Sequence, residues 1–207
     1  MTDRWRIQTE AEIEELLGAP SPMVQQKIFD HVDEHAAAFI AKSPLLLAAT
    51  ADREGRVDVS PKGDAPGFVA IEDARTLVLP ERPGNKLAFG FRNLIANPHI
   101  SLIFVVPGTT ETLRVSGTAE LTRDPELLER LAARGKPALL ATRIGVEKCF
   151  FHCGKAFIRS GLWQSETWPA GFRVSFGRQL AGRLGAGADI ATQIDETIEQ
   201  NYKTGLY

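Results

Sequence analysis

The residues best suited to chemistry in this chain sit in one short window, Leu79-Pro-Glu-Arg-Pro-Gly-Asn-Lys86. An apolar strand ends there, a Pro/Gly turn follows, and the pattern of a helix begins. The first N–H groups of a helix have no partner within the helix and favour an anion. Arg82 offers a planar, two-pronged donor and Lys86 a compact charge. Asn85 caps the helix or donates to the anion. Together these residues suit a phosphate monoester. The same three also read as two solvated charges and a plain N-cap, because short motifs match by chance.

A second window, Arg56-Val-Asp-Val-Ser-Pro-Lys-Gly-Asp64, runs from an alternating segment into Ser60, Pro61, Lys62 and Gly63. Val57 and Val59 read as its inward face. Pro61 donates no backbone hydrogen bond, which suits a strand end or edge. Lys62 would set positive charge beside a bound ring that becomes anionic on reduction. An ordinary strand-to-loop passage explains the same residues.

Other constellations carry less. Cys149, His152 and Cys153 invite a metal, but a structural zinc needs four converging ligands. On a strand, Cys149 and Cys153 would share one apolar face with Phe151 while His152 points away, so no metal is expected. His31 and His35 read as the rim of a helix face, and His99 as a structural residue at a strand start. No Ser/His/Asp arrangement is readable, and no Gly-rich run has Walker or Rossmann spacing. Basic residues are not interleaved with aromatics as on a nucleic-acid platform.

Elements that would position these windows follow from periodicity. An acidic helix is expected near Glu10–Leu17. After Pro20 and Pro22, a longer helix carries Val24, Ile28, Val32, Ala36, Phe39 and Ile40 on one face and ends at Ser43-Pro44. Short strands follow at residues 44–50, 56–60, 67–71, 76–79, 99–106 and 111–117, with a further strand-like run at 145–153. Gly117 reads as a barrel corner. Helices are expected over Lys86–Ile95, with Leu87, Phe91, Leu94 and Ile95 on one face, and from the Asp124-Pro125 start to about Arg134. Residues 171–187 read as a Gly-rich loop, and 188–203 as an amphipathic helix.

The 207 residues suit one domain: a helical segment at 1–42, a barrel core at 43–165, and a loop and helix at 166–207. With 43% hydrophobic and 24% charged residues the chain is not disordered. Its 24 basic and 26 acidic residues leave a net charge of −2, too little field for nucleic acid or an anionic membrane. Two cysteines do not make a disulfide framework. No signal peptide is visible in the opening Met1-Thr-Asp-Arg-Trp-Arg, and no apolar run approaches a membrane span. A cytoplasmic location with reduced thiols is therefore expected.

In their order, several segments resemble the pyridoxamine 5'-phosphate oxidase-like family of FMN-binding split β-barrel proteins. They are Val57–Asp64, Leu79–Lys86 with its helix to Asn97-Pro98-His99, Ser101–Val106, Glu111–Gly117 and the tail Phe151–Trp163. The resemblance implies a mainly β fold with flanking helices: a six-stranded antiparallel split barrel. It also implies a homodimer with FMN in clefts between the subunits. Val59, Ser60, Pro61 and Lys62 would then line the isoalloxazine edge, and Leu79 and Pro80 the ribityl chain. Arg82, Asn85 and Lys86 would hold the phosphate, and Thr112 would approach the ring. Lys155, Arg159, Ser160 and Trp163 would come from the tail, in one reading from the other subunit. The implied activity is hydride transfer through flavin N5 to or from an unidentified small molecule. A non-catalytic flavin-binding protein, or a split barrel carrying haem or a deazaflavin, stays open beside it. Gly84-Asn85 stands where true pyridoxamine phosphate oxidases carry Ser-Arg, and no Arg- and Trp-bearing end segment is present. The resemblance thus reaches the flavin and leaves vitamin B6 oxidation without its substrate residues.

Overall fold

A computed structural model describes residues 5–84 and 86–207. Seven antiparallel strands form one sheet: β1 (Leu45–Ala51), β2 (Val57–Gly63), β3 (Ala70–Asp73), β4 (Thr76–Glu81), β5 (His99–Val105), β6 (Thr112–Thr122) and β7 (Leu140–His152). Their order is β2-β1-β5-β6-β7-β4-β3. The expected six-stranded barrel is corrected to a seven-stranded open sheet, because the 145–153 run is the end of a full strand joining β6 to β4. The sheet curls around one core. Leu46 and Ala48 of β1 meet Leu77 and Leu79 of β4, Leu102 and Phe104 of β5, Leu113 and Val115 of β6, and Ile144 of β7.

Helices close the open sides. The Asp124 carboxylate caps α5 (Pro125–Arg130), and Leu127 of α5 covers Val78 and Ala141 on the outer side of β4 and β7. β4 is therefore apolar on both faces. β6 bends at a bulge between Ser116 and Gly117. A Cβ on Gly117 would lie 1.8 Å from the Gly145 carbonyl oxygen, so only glycine permits the two strands to come this close.

Several expectations are overturned. The helix through Val24 and Phe39 is two helices, α2 (Pro22–Gln26) and α3 (Glu34–Ile40), separated by an extended segment. In that segment Phe29 exchanges backbone hydrogen bonds with Cys149, and the Asp33 carboxylate caps α3. Val32, Ala36 and Ile40 enter the core, while Val24 and Ile28 stay exposed. Residues 171–187 are not a loop but contain α7 (Phe176–Leu184), which packs on α8 (Ala188–Thr204). Gly177 permits that contact, since a Cβ there would fall 1.9 Å from the Ala191 carbonyl oxygen. The shared face of the two cysteines also fails. Cys149 is buried, whereas Cys153 lies past the end of β7 and is exposed.

The sheet's edge strand β2 faces the end of β4 across a seam with no backbone pairing. Two ion pairs lace it. Lys62 Nζ lies 2.6 Å from Glu81 Oε2, and Arg82 Nε lies 2.7 Å from Asp64 Oδ2. Glu81 occupies the next inward position after Leu77 and Leu79, and the residue is only 4% exposed. Its other oxygen accepts from Thr142 Oγ1 at 3.0 Å. Removing one partner of such a pair strands the other charge away from water. Lys62→Met and Glu81→Gln should each destabilise the protein, and the double variant should lose less than their sum. The coupling should be about 1–3 kcal/mol by denaturant unfolding; additive losses would show that the pair does not hold the seam.

The thiols differ in environment too. Burial, with the nearby Asp33 charge adding to it, pushes the Cys149 thiol up to about 11. At neutral pH it is a buried, protonated thiol. A disulfide reagent should label one cysteine per native chain, at Cys153, and both after unfolding. Rapid labelling of both in the native protein would contradict the burial of Cys149.

Candidate functional site

A cleft of about 1070 Å³ opens along the laced seam. Its walls are β2, the end of β4 with the turn after it, the start of α4 (Phe89–Ala96), and the C-terminal residues Phe176, Tyr202, Leu206 and Tyr207. The volume is at the upper end of what small-molecule and cofactor sites offer.

Strand parity decides what β2 shows to the cleft. Val57 and Val59 are exposed on the outer side, at 69% and 56%, and the half-buried residues are Asp58, Ser60 and Lys62. The expected inward valine face is thus reversed. α4 packs against the polar side: a Cβ on Gly90 would lie 3.9 Å from Ser60 Oγ and 4.0 Å from Asp58 Oδ2. The Lys62 ammonium sits 4.8 Å from the centre of the Phe91 ring.

The electrostatics are those of paired groups with one donor left over. Burial raises the Glu81 carboxyl above its ordinary value, against the opposing pull of Lys62 and Thr142. Burial would raise Asp64 as well. There the Tyr207 hydroxyl, the Ala65 N–H and Arg82 outweigh it, and the carboxyl lies below its ordinary value. Arg82 uses Nε on Asp64, but its Nη1 is buried and has no hydrogen-bond partner among the described residues. A buried unpartnered donor costs about 1–3 kcal/mol, and more on a charged group. Arg82 also lines the cleft, where a phosphate would meet its complementary charge.

The helix-start anion site is corrected. α4 begins at Phe89, three residues beyond Lys86. Its cap position is Ala88 at φ 56° in the left-handed region, with no side-chain cap. Arg82 and Lys86 line the cleft from the turn, beside Ala88, Phe89 and Gly90 at the start of α4. Asn85 lies outside the described residues. Val59, Ser60, Pro61, Lys62 and Pro80 also border the cleft, Ser60 and Lys62 from the half-buried side of β2 and Val59 and Pro61 from its exposed side. Leu79 is not on its surface; it is 1% exposed in the core.

The remaining expected residues gather elsewhere in the chain. Thr112 is buried opposite His152. Lys155, Arg159 and Ser160 belong to α6 (Lys155–Ser160). Trp163 stacks on Phe157 with ring centres 5.7 Å apart and donates Nε1–H to the Thr109 carbonyl at 2.9 Å. This aromatic and basic group clusters at the start of β6 and does not line the cleft of its own chain. Sequence reasoning misses Glu81, Asp64 and Tyr207. The parity of Leu77, Leu79 and Glu81 marks the first; nothing local marks the other two. Among the described residues no group of three or more His, Cys, Asp or Glu could hold a metal, and no helix is long and apolar enough to cross a membrane.

Comparison with known proteins gives the fold a family. Among solved structures, HupZ of Group A Streptococcus is 22% identical, over 58% of this chain and 93% of its own, with a TM-score of 0.47. A putative pyridoxamine 5'-phosphate oxidase from Lactobacillus delbrueckii is 23% identical, over 59% and 95%, with a TM-score of 0.46. A structure described as F420 reductase is 20% identical, over 58% and 98%, at 0.41. No curated protein matches the chain. The family model described as pyridoxamine 5'-phosphate oxidase matches residues 32–153, from the segment before α3 to the end of β7. With more than half of its length so matched, the chain belongs to the pyridoxamine 5'-phosphate oxidase-like family.

Proposed function

We propose that the cleft holds FMN and that the chain is an FMN-dependent oxidoreductase acting on a small molecule. The observation that carries this reading is the buried, unpartnered Nη1 of Arg82, in a cleft of cofactor size within a chain of this family. When bound, the flavin supplies hydride transfer at its N5. The chain's own residues bind and orient it. Arg82 and Lys86 hold the phosphate, and Asn85, outside the described residues, is the third residue proposed for it. Pro80 lies along the ribityl chain, and Leu79 supports it from the core. Val59, Ser60, Pro61 and Lys62 line the ring edge. Lys62 keeps positive charge there, already balanced by Glu81.

Two copies complete the site in this reading. The outer side of β1 and β2 presents Leu45, Leu47, Val57 and Val59, all exposed, as one apolar strip. That strip lies on the strand that also forms a cleft wall, so a second copy covering it would stand at the cleft mouth. The tail residues Lys155, Arg159, Ser160 and Trp163 would reach the flavin from that partner, which accounts for their absence from the cleft of their own chain. The assembly is a two-fold homodimer with two equivalent sites.

Purified protein should show the visible absorption of oxidised flavin, with FMN released on denaturation. A Soret band would indicate haem instead, and the spectrum of a deazaflavin would replace FMN by that cofactor. Bleaching by NADH or NADPH followed by turnover supports an oxidoreductase; bound flavin that no donor reduces would leave a flavin-binding protein. A charged hydrogen bond is worth about 1.5–3 kcal/mol, so Arg82→Ala should weaken FMN about tenfold to a hundredfold. Riboflavin, which lacks the phosphate, should bind poorly and be indifferent to the change.

The assembly has its own test. Light scattering should give a dimer with one FMN per chain, and Val57→Glu should give monomers with weakened FMN binding. Trp163→Ala should lower FMN affinity and change flavin fluorescence. A monomer that keeps tight FMN at nanomolar concentration would defeat the shared site.

A further inference from the structure

The family match ends at residue 153, yet a wall of the cleft is built from residues far beyond it. α7 and α8 form a hairpin held by its own contacts. Asp195 accepts from the Ser175 hydroxyl and, at 2.7 Å, from the Gly177 N–H, and Gly177 lies against Ala191. The hairpin and the residues after it bring Phe176, Tyr202, Leu206 and Tyr207 to the cleft.

Tyr207 makes the most specific of these contacts. Its hydroxyl donates to Asp64 Oδ1 at 2.6 Å, and the other oxygen of that carboxylate accepts from Arg82 Nε at 2.7 Å. Two guanidinium groups lie over the Tyr207 ring, that of Arg134 at 4.8 Å and that of Arg82 at 5.9 Å from its centre. Its main-chain oxygen accepts from Lys136 Nζ at 2.6 Å. Asp64 Oδ1 also accepts from the Ala65 N–H at 2.8 Å. Both oxygens of the carboxylate are thereby engaged.

We infer that Tyr207 is a positioning residue that acts through Asp64 to fix the Arg82 guanidinium, and so sets the preference of the cleft for a phosphorylated ligand. This rests on the reading of Arg82 as the holder of the FMN phosphate. A guanidinium is planar and rigid, so fixing Nε with a held carboxylate, and one face with an aromatic ring, determines where Nη1 points. Nη1 is the buried atom without a partner. A donor already aimed loses less freedom when the phosphate arrives, and that saving appears as affinity. The hydroxyl is kept as a donor: its hydrogen bond to Asp64 raises the Tyr207 phenol above its ordinary value. Tyr207 does not need to touch the flavin to act in this way.

The test compares FMN with riboflavin by equilibrium titration of the full chain. Tyr207→Phe keeps the ring beside the guanidinium groups and removes only the hydroxyl. It should weaken FMN by about threefold to tenfold, less than loss of a direct charged hydrogen bond, and leave riboflavin unchanged. Tyr207→Ala should weaken FMN further. Equal loss for both ligands would make Tyr207 a wall and nothing more, which overturns the inference. Tighter FMN binding by Tyr207→Ala would make it a competing occupant and overturn the inference equally. If Arg82→Ala weakens FMN while both Tyr207 variants match wild type, the phosphate reading stands and the positioning role falls. If neither flavin binds the wild type, the FMN reading fails and inorganic phosphate becomes the probe. The Arg82 Nε–H resonance should then shift on phosphate addition at lower concentration in wild type than in Tyr207→Phe. Identical titrations, or no shift in either, would overturn the positioning role as well.

Discussion

The sheet does not close on itself, and the architecture of the cleft follows from how that gap is held. β2 ends the sheet on one side, and across the seam stands the end of β4 with no backbone bonds between them. Lys62 with Glu81, and Asp64 with Arg82, join the two edges by side chains. Backbone pairing would have filled the seam. Ion pairs between side chains several atoms long hold the edges at a distance, and the space left is the cleft. The same pairs fix the groups that line it. Burial raises the Glu81 carboxyl, and Lys62 and Thr142 hold its two oxygens. Arg82 is tethered at Nε and presents Nη1. Cleft lining and scaffold therefore share residues, so a substitution at Lys62, Glu81 or Arg82 alters the cleft and the seam together.

The distribution of apolar surface divides the molecule in a second way. Inside the curl, Leu46, Leu102, Phe104, Leu113, Val115 and Ile144 are shut off from water. Outside it, α5 covers β4 and β7, but Leu45, Leu47, Val57 and Val59 remain open. A contiguous apolar strip of that kind is a common mark of an interface. It runs along the strand that carries Ser60, Pro61 and Lys62, so a partner seated on it would stand beside the cleft.

Much of this is legible in the residues, and the failures have physical causes. Strand positions follow from alternation and turns. Asp52 and Gly55 mark the β1–β2 hairpin, where the Asp52 carboxylate accepts from the Glu54 and Arg56 N–H groups and Gly55 takes φ 79°. Asp124-Pro125 marks α5. The face of β2 defies its pattern because valine alternating with Asp, Ser and Lys normally turns valine inward. Here the inward side is the polar cleft, and the outer side is apolar. α7 reads as loop because its glycines look like punctuation, while Gly177 serves a helix contact visible only in three dimensions. The break between α2 and α3 depends on Phe29 meeting Cys149, a pairing that no local pattern encodes. The Arg82 and Lys86 window stands out in the sequence for a reason only half right. Its side chains line the cleft, but the helix whose start was to share the anion begins later. Asp64 and Tyr207 are 143 positions apart in sequence, and only the fold brings them together.

The order of strands also governs how the chain can assemble as it leaves a ribosome. β1 pairs with β2 and β5, and β5 with β6, all within the first half of the chain or shortly after it. β4 is made before β5, yet its partner inside the sheet is β7, with Leu79 opposite Thr142. The β3–β4 hairpin must therefore wait, with Leu77, Val78 and Leu79 uncovered, until β7 has been synthesised. Long-range pairings of this kind are slow to form and leave apolar strands open to wrong partners meanwhile. Glu81 closes that apolar run with a charge, which disfavours wrong pairing of an exposed strand. In the folded chain the same carboxylate lies under cover, between Thr142 on one side and Lys62 on the other.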